Sequence, residues 1–192
     1  MRCDLHVHTS FSQDASTQGT RNGPREAYRF ARGEALGIQP YDEQGRAQRQ
    51  LRLERPLDFA AVTDHAELIG EVEICRTPGV EGHDSWPCWI YREFPRVAYF
   101  LMNTKSSMRD PTRFGFCGEG GRLCLEASRA PWQEIQAAAE GAYDRSSACR
   151  FTSFVGYEYT ESPDTYNLHR NVIFRNENVP ANPISTYDTG AD

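Results

Sequence analysis

The feature that most restricts the fold of this chain is an almost unbroken apolar run at residues 57–63, LDFAAVT, followed directly by Asp64 and His65. A strand with apolar side chains on both faces is typical of a parallel sheet that is covered by helices. A short strand at residues 3–8 precedes it, and the apolar spacing of residues 25–36 predicts a helix between the two strands. Strand, helix and buried strand together predict a βαβ unit, and hence an α/β fold.

The remaining regular elements are predicted from turn residues and apolar periodicity. They are a surface hairpin at residues 38–56, a helix at 130–144, strands at 151–159 and 169–175, and a short polar connection at 160–167.

Residues 66–130 follow no simple α/β repeat and are rich in Trp, Pro, Gly and Cys. Within this stretch, residues 90–102 have a helical pattern and residues 109–121 have the composition of a loop. Long irregular segments in compact domains commonly serve as lids or binding surfaces. We therefore expect an insertion, or lid, within a single domain that spans residues 1–192.

Two histidines, His6 and His8, are separated by one residue at the end of the first predicted strand. Alternate side chains of a strand point to the same face, so both imidazoles project together. Leu5 and Val7 then face the opposite way, into packing. Since neutral imidazole is a common metal ligand, this pair predicts half of a metal site.

Further histidines and carboxylates are predicted at the ends of other strands. Parallel strands end at the same edge of a sheet, and functional side chains gather at that edge. These residues are Asp14 beyond the first strand, Asp64 and His65 at the end of the second, Glu158 at the end of the third, and His169 at the start of the next. The sequence therefore predicts a metal site at this edge of the sheet, with these histidines and carboxylates as its candidate ligands.

Such a centre favours hydrolysis. A divalent metal lowers the pKa of bound water from near 16 to about 7, and two close metals stabilise the attacking and leaving oxygens of a phosphoester. Glu158 is suited to bridging two cations, because its two carboxylate oxygens accept independently. The ligand types fit two or three ions of Zn, Mn or Fe.

Composition restricts the partners. The formal charge of −6 argues against nucleic acid, since phosphate backbones require a basic surface. No apolar run approaches the roughly 20 residues of a membrane span. Asp4 and His6 fall where the apolar part of a signal peptide would begin, which favours the cytoplasm.

The six cysteines form no CxxC pair, so a cysteine-zinc site is not expected. Two pairs, Cys75/Cys88 and Cys117/Cys124, flank Gly- or Pro-bearing loops. Both local disulfides and free buried thiols are compatible with this spacing. Disulfides would indicate an exported protein, in conflict with the expectation from the N-terminal residues.

Several of these motifs resemble those of a known superfamily. They are DLHVHT at residues 4–9 with Ser12 and Asp14, VTDH at 62–65, and GYE at 156–158 with the later His169. They are similar to the first three motifs of the PHP (polymerase and histidinol phosphatase) superfamily of metallohydrolases. Over nearly the whole chain the sequence is most similar to one branch, the domain-of-unknown-function 3604 (DUF3604) family.

This resemblance implies a distorted (β/α)7 TIM-like barrel with a two- or three-metal centre. It assigns His6, His8 and Glu158 to one metal, Glu158 and His169 to a second, and Asp14 and His65 to a third. Asp64 and Glu158 become the catalytic candidates, with Asp64 orienting His65 or another ligand. The fourth motif of the superfamily, Asp-x-His, does not occur after residue 169. We therefore expect the N-terminal portion of an incomplete barrel.

The expected activity is that of a phosphoesterase acting on a small molecule, with arginines of the insertion (Arg92, Arg96 and Arg113) neutralising the phosphate. An amidohydrolase-type enzyme is an alternative, since its first strand also carries His-x-His. Many such enzymes bridge their metals with a carboxylated lysine, but Lys105 is the only lysine here and lies in a polar turn. A metal-binding domain without catalytic activity is the second alternative.

Overall fold

The computed structural model describes residues 1–162 and 166–189. Its strands are β1 (Cys3–Val7), β2 (Leu36–Tyr41), β3 (Ala47–Leu51), β4 (Phe59–Val62), β5 (Thr152–Phe154), β6 (Gly156–Glu161) and β7 (Leu168–Ile173). Its α-helices are α1 (Gln13–Thr17), α2 (Pro24–Ala31), α3 (Ile69–Arg76), α4 (Trp86–Glu93), α5 (Pro95–Ser106), α6 (Arg122–Ala127), α7 (Arg129–Ala142) and α8 (Thr186–Thr189). Two 3₁₀ turns lie at Gly115–Cys117 and Glu119–Gly121.

The predicted (β/α)7 barrel is wrong. Within the described ranges the strands form a parallel three-stranded sheet of order β1-β4-β5 and two antiparallel pairs, β2-β3 and β6-β7. A barrel requires each strand to pair on both sides until the sheet closes, and these small sheets do not close. The chain is a mixed α/β fold, so the predicted α/β character and the parallel pairing of the first buried strands are retained.

The strand predicted at residues 151–159 breaks at Val155, and this break explains much of the difference. Its first half pairs parallel with β4, whereas its second half leaves that sheet and pairs antiparallel with β7. Gly156 permits the crossing, because a Cβ there would lie 2.9 Å from Val172 O and from the Ile173 side chain. An apolar pattern does not reveal a change of partner in mid-strand.

The core around the parallel sheet holds its strands in place. Helices α2 and α7 pack against each other and against β4. Trp132 and Ile135 of α7 are buried there, and so is Tyr28 of α2. The Tyr28 hydroxyl donates to Phe154 O (2.9 Å) and accepts from Val62 N (3.0 Å), joining β5 and β4 through one side chain.

Two predicted boundaries near the N-terminus change. The helix expected at residues 25–36 ends at Ala31, because Gly33 adopts a left-handed backbone (φ +90°) that terminates it. Leu36 instead begins β2. The predicted hairpin is confirmed, with Leu36 opposite Leu51 and Tyr41 opposite Ala47.

Residues 66–130 form helices α3 to α6 around an apolar cluster of their own, which includes Leu68, Val72 and Met102. The helix predicted at residues 90–102 is two helices that meet at Phe94, since Pro95 restricts the residue before it. The loop predicted at residues 109–121 contains the two 3₁₀ turns.

Both local disulfides are present, Cys75–Cys88 and Cys117–Cys124, and all four sulfur-bearing residues are buried. The free-thiol alternative is therefore not the one that the structure adopts. Within the described ranges, every helix is too short or too polar to span a bilayer.

The C-terminal residues return to the core. Pro180 O accepts from Trp132 Nε1 (2.8 Å), and the short helix α8 places the ring of Tyr187 4.7 Å from the Arg113 guanidinium. Part of the polar connection predicted at residues 160–167 lies outside the described residues, as does the end of the chain after Thr189.

Candidate metal centre

The predicted ligands lie at the carboxyl edge of the parallel sheet. His6 and His8 alternate along the end of β1, and His65 follows β4. Although β6 has left the parallel sheet, backbone hydrogen bonds hold it against the end of β4: Glu158 N donates to Asp64 O (3.0 Å) and Ala66 N donates to Glu158 O (2.9 Å). The Glu158 side chain is thereby held beside the histidines of two other strands.

Glu158 is the centre of this cluster, with a fully buried side chain. One carboxylate oxygen, Oε2, lies 3.0 Å from His6 Nε2 and 2.6 Å from His8 Nε2. The other, Oε1, contacts His169 Nδ1. The two imidazole nitrogens of His6 and His8 are themselves 3.1 Å apart. Three imidazoles thus converge on a single buried carboxylate.

Asp14, on α1, extends the cluster on the side of His8. Its Oδ2 lies 2.9 Å from His8 Nδ1, and the rings of His8 and His65 are 4.7 Å apart. Its second oxygen, Oδ1, is buried and has no hydrogen-bond partner among the described residues. A buried carboxylate oxygen without a partner is costly unless a donor or a cation satisfies it.

All six predicted ligands are therefore brought together, in three overlapping groups whose candidate ligand atoms lie within 4.8 Å of one another. The groups are His6/His8/Glu158, His8/Asp14/His65 and His65/Glu158/His169. Their role as metal ligands stays a prediction. A fourth group of similar size, Glu71 with Cys117 and Cys124, is different in kind, because its two sulfurs form a disulfide and are not thiolate donors.

Mutual contacts shift the pKa values of these groups. Burial lowers the pKa of His8, but its hydrogen bonds with Asp14 and Glu158 outweigh burial and raise that pKa to about 10. Burial raises the pKa of Glu158, but the hydrogen bond with His8 and the charge of His65 prevail and lower it to about 2. The pKa of Asp14 is likewise lowered, against burial, by its hydrogen bond with His8. At neutral pH the proton on His8 therefore balances part of the negative charge of Asp14 and Glu158.

Asp64, the other catalytic candidate, has a different environment. Its fully buried carboxylate accepts hydrogen bonds from Thr9 N (2.5 Å) and Thr9 Oγ1 (2.7 Å). Burial raises the pKa of Asp64 to about 6, although the bonds from Thr9 oppose the shift. Since Thr9 directly follows His8, Asp64 fixes the chain that carries His8. These contacts are those of a positioning residue.

Sequence reasoning missed two residues that lie beside His65. Glu67 Oε1 accepts from Thr160 N (2.6 Å), and its Oε2 lies 3.4 Å from His65 Nδ1. Thr160 Oγ1 lies 3.0 Å from the same ring nitrogen. The available signal for Glu67 was an acidic residue two positions after the histidine of the TDH motif. No spacing pattern in the sequence predicts a role for Thr160.

The histidine cluster opens into a cavity of about 700 Å³. The insertion forms one wall of this cavity through Tyr99, Asn103 and Ser106 of α5. Helix α5 is fixed against α1, where Gln13 Nε2 donates to Asn103 Oδ1 (3.1 Å). The insertion is therefore placed where a lid or a substrate-binding surface would lie, although that role stays a prediction.

The arginines expected to face a phosphate do not line this cavity within the described ranges. Arg92 donates to the carbonyl oxygens of Cys75 and His83 inside the insertion. Arg113 forms an ion pair with the buried Glu71 (2.9 Å), and Arg96 is exposed. Two of these side chains thus stabilise the insertion itself.

Comparison with known proteins gave one match. A family model described as "Protein of unknown function (DUF3604)" matches residues 3–192. No curated protein and no solved structure matches the chain.

Proposed function

The chain belongs to the DUF3604 family, and from that premise we propose that it is a metal-dependent hydrolase, most specifically a phosphoesterase of the PHP type. One observation carries the proposal. The buried carboxylate of Glu158 is surrounded by His6, His8 and His169, beside the unpartnered buried oxygen of Asp14. Five ionisable groups that converge in this way fit a polynuclear cation site better than a packing role.

The donor set fits two or three divalent transition metals. Imidazole nitrogens and carboxylate oxygens are the ligands of Zn, Mn and Fe, and Glu158 offers one oxygen to each of two neighbouring groups. Asp14 Oδ1, unpartnered and buried, would gain a cation. Divalent ions held by these residues would lower the pKa of bound water to about 7 and so supply a nucleophile at neutral pH.

The protein's own residues position this centre. Asp64 holds Thr9 and, through it, the end of β1 that carries His8. Thr160 Oγ1 lies 3.0 Å from His65 Nδ1, and the other ring nitrogen, Nε2, lies 3.8 Å from Glu158 Oε2 on the side of the cluster. The cavity beside the cluster has the size of a small-molecule site.

The preference for a phosphoester comes from the resemblance of the motifs DLHVHT and VTDH to those of the PHP superfamily. No arginine lines the described cavity wall, so the neutralisation of a phosphate would fall to divalent ions held by the histidine cluster. An amidohydrolase-type activity and a non-catalytic metal-binding role are the competing proposals, and the reactions catalysed distinguish them.

The test is a screen of phosphomonoesters, phosphodiesters, amides and lactones after loading with Zn, Mn or Fe. We expect phosphoester turnover that is lost in His8→Ala and retained in His83→Ala. His83 is a matched control, because it lies in the insertion with its Nδ1 3.1 Å from Ile74 O. Turnover of amides or lactones alone would favour the amidohydrolase type. Bound metal without any turnover would favour the non-catalytic role.

The two disulfides support a further part of the proposal, that the protein folds in an oxidising compartment outside the cytoplasm. The test is a thiol titration, under denaturing conditions, of the protein purified from its natural source without reductant. We expect two reactive thiols, from the free Cys3 and Cys149. Six would contradict the proposed compartment.

A further inference from the structure

Gln13 presents an unusual polar group to the cavity. The residue is 4% exposed, and its Nε2 donates a hydrogen bond to Asn103 Oδ1. Its Oε1 is buried and has no hydrogen-bond partner among the described residues, although Gln13 lines the cavity. A buried amide oxygen left without a donor is unfavourable. This oxygen is therefore an acceptor suited to a donor group of a bound molecule.

The part of the cavity wall that α5 forms is uncharged and rich in hydrogen-bonding groups, whereas the carboxylates of Asp14 and Glu67 line other parts of the cavity. Helix α5 and the residue after it contribute a phenol, an amide and two hydroxyls, from Tyr99, Asn103, Ser106 and Ser107. On another side, Ser162 Oγ donates to Asn167 Oδ1 (2.7 Å), and both residues line the cavity. Among the described lining residues there is no lysine or arginine.

We propose that this wall is a subsite for an uncharged, polyhydroxylated part of the substrate, such as a sugar or polyol, with a hydroxyl donating to Gln13 Oε1. The inference rests on the proposed function, which places the ester to be cleaved at the histidine cluster. A second anionic group would meet no cation on this wall, and an apolar group would leave the Gln13 oxygen unpaired. A cavity of about 700 Å³ accommodates a sugar phosphate.

The first experiment compares two substrates with similar leaving groups. Glucose 6-phosphate and ethyl phosphate both release a primary alcohol, so their ratio of kcat/KM in the metal-loaded chain reports the subsite. We expect glucose 6-phosphate to be preferred about tenfold, equivalent to about 1.4 kcal/mol. The isosteric Gln13→Met removes the amide and should bring the ratio close to one. A ratio near one in the unmodified protein would overturn the inference while leaving the phosphoesterase proposal intact.

Gln18→Met is the matched control, because Gln18 is exposed at the end of the same helix and does not line the cavity. The ratio should be unchanged in this variant. Asn103→Ala is a second test of the same wall, and we expect it to lower the ratio of kcat/KM values as well. With this second variant, misfolding of Gln13→Met does not decide the outcome. An unchanged ratio in both Gln13→Met and Asn103→Ala would contradict the inference.

A binding measurement separates the subsite from catalysis. Methyl α-glucoside carries no ester, and saturation-transfer NMR at millimolar concentration detects weak binding of this kind. Transfer to the glucoside that disappears in Gln13→Met supports the subsite even if no phosphoester is hydrolysed. The absence of transfer in the unmodified protein overturns it.

Discussion

Replacing Asp64 with alanine tests whether this buried carboxylate positions the metal centre or belongs to it. The substitution removes the acceptor of two hydrogen bonds, from the backbone N–H and the hydroxyl of Thr9, which is itself 2% exposed. Each buried donor left unpaired costs about 1–3 kcal/mol, so Asp64→Ala should destabilise the metal-free chain by about 2–6 kcal/mol. For a chain of this size the melting temperature should fall by at least about 4 °C.

The assay is thermal and urea unfolding in the presence of a chelator, followed by circular dichroism. Asp64→Asn is the matched control, because its amide oxygen accepts from the Thr9 N–H and its amide N–H donates to the Thr9 hydroxyl. We expect Asp64→Asn to lose less than half as much stability as Asp64→Ala and to bind as much metal as the unmodified chain. Unchanged stability of Asp64→Ala would refute the positioning role. Loss of a metal equivalent in Asp64→Asn would show that Asp64 is a ligand.

Three further predictions concern the insertion and the electrostatics of the site. Arg113→Met leaves the buried Glu71 unpaired and should lower the free energy of unfolding in urea by about 3–5 kcal/mol. Adding Glu71→Met should restore most of this stability, and no restoration would refute the ion-pair explanation. Reducing the two disulfides should cost about 2–3 kcal/mol each, and an unchanged melting temperature with reductant would contradict this. Zinc affinity should rise up to about tenfold per pH unit between about pH 6 and pH 8. The reason is that His8, with its pKa raised to about 10, must release a proton to bind zinc. A competition titration that shows no rise would contradict this linkage.

Local patterns predicted the elements well where periodicity and turn chemistry agree. The apolar run at residues 57–63 contains β4, and the hairpin at residues 38–56 contains most of β2 and β3. The failures arose from tertiary pairing. The break at Val155 sends β6 to an antiparallel partner, and this exchange is invisible in a sequence whose apolar pattern continues across it.

The candidate site was predictable to the extent that it depends on strand periodicity. His6 and His8 share a face because they alternate, and Asp64 and His65 reach the same edge because β1 and β4 are parallel. The contact between Gln13 and Asn103 joins residues 90 positions apart, and it forms only because the insertion packs on α1. Spacing along the chain carries no information on such a contact.

The proposed function depends most directly on whether the cluster around Glu158 binds metal. Elemental mass spectrometry of the chain reconstituted with Zn, Mn or Fe, beside Glu158→Ala and the control His83→Ala, is the decisive measurement. We predict two or more equivalents of transition metal in the unmodified chain and in His83→Ala, with a clear loss in Glu158→Ala. An unmodified chain that holds no metal after reconstitution, or a Glu158→Ala variant that retains all of it, would contradict the proposed centre.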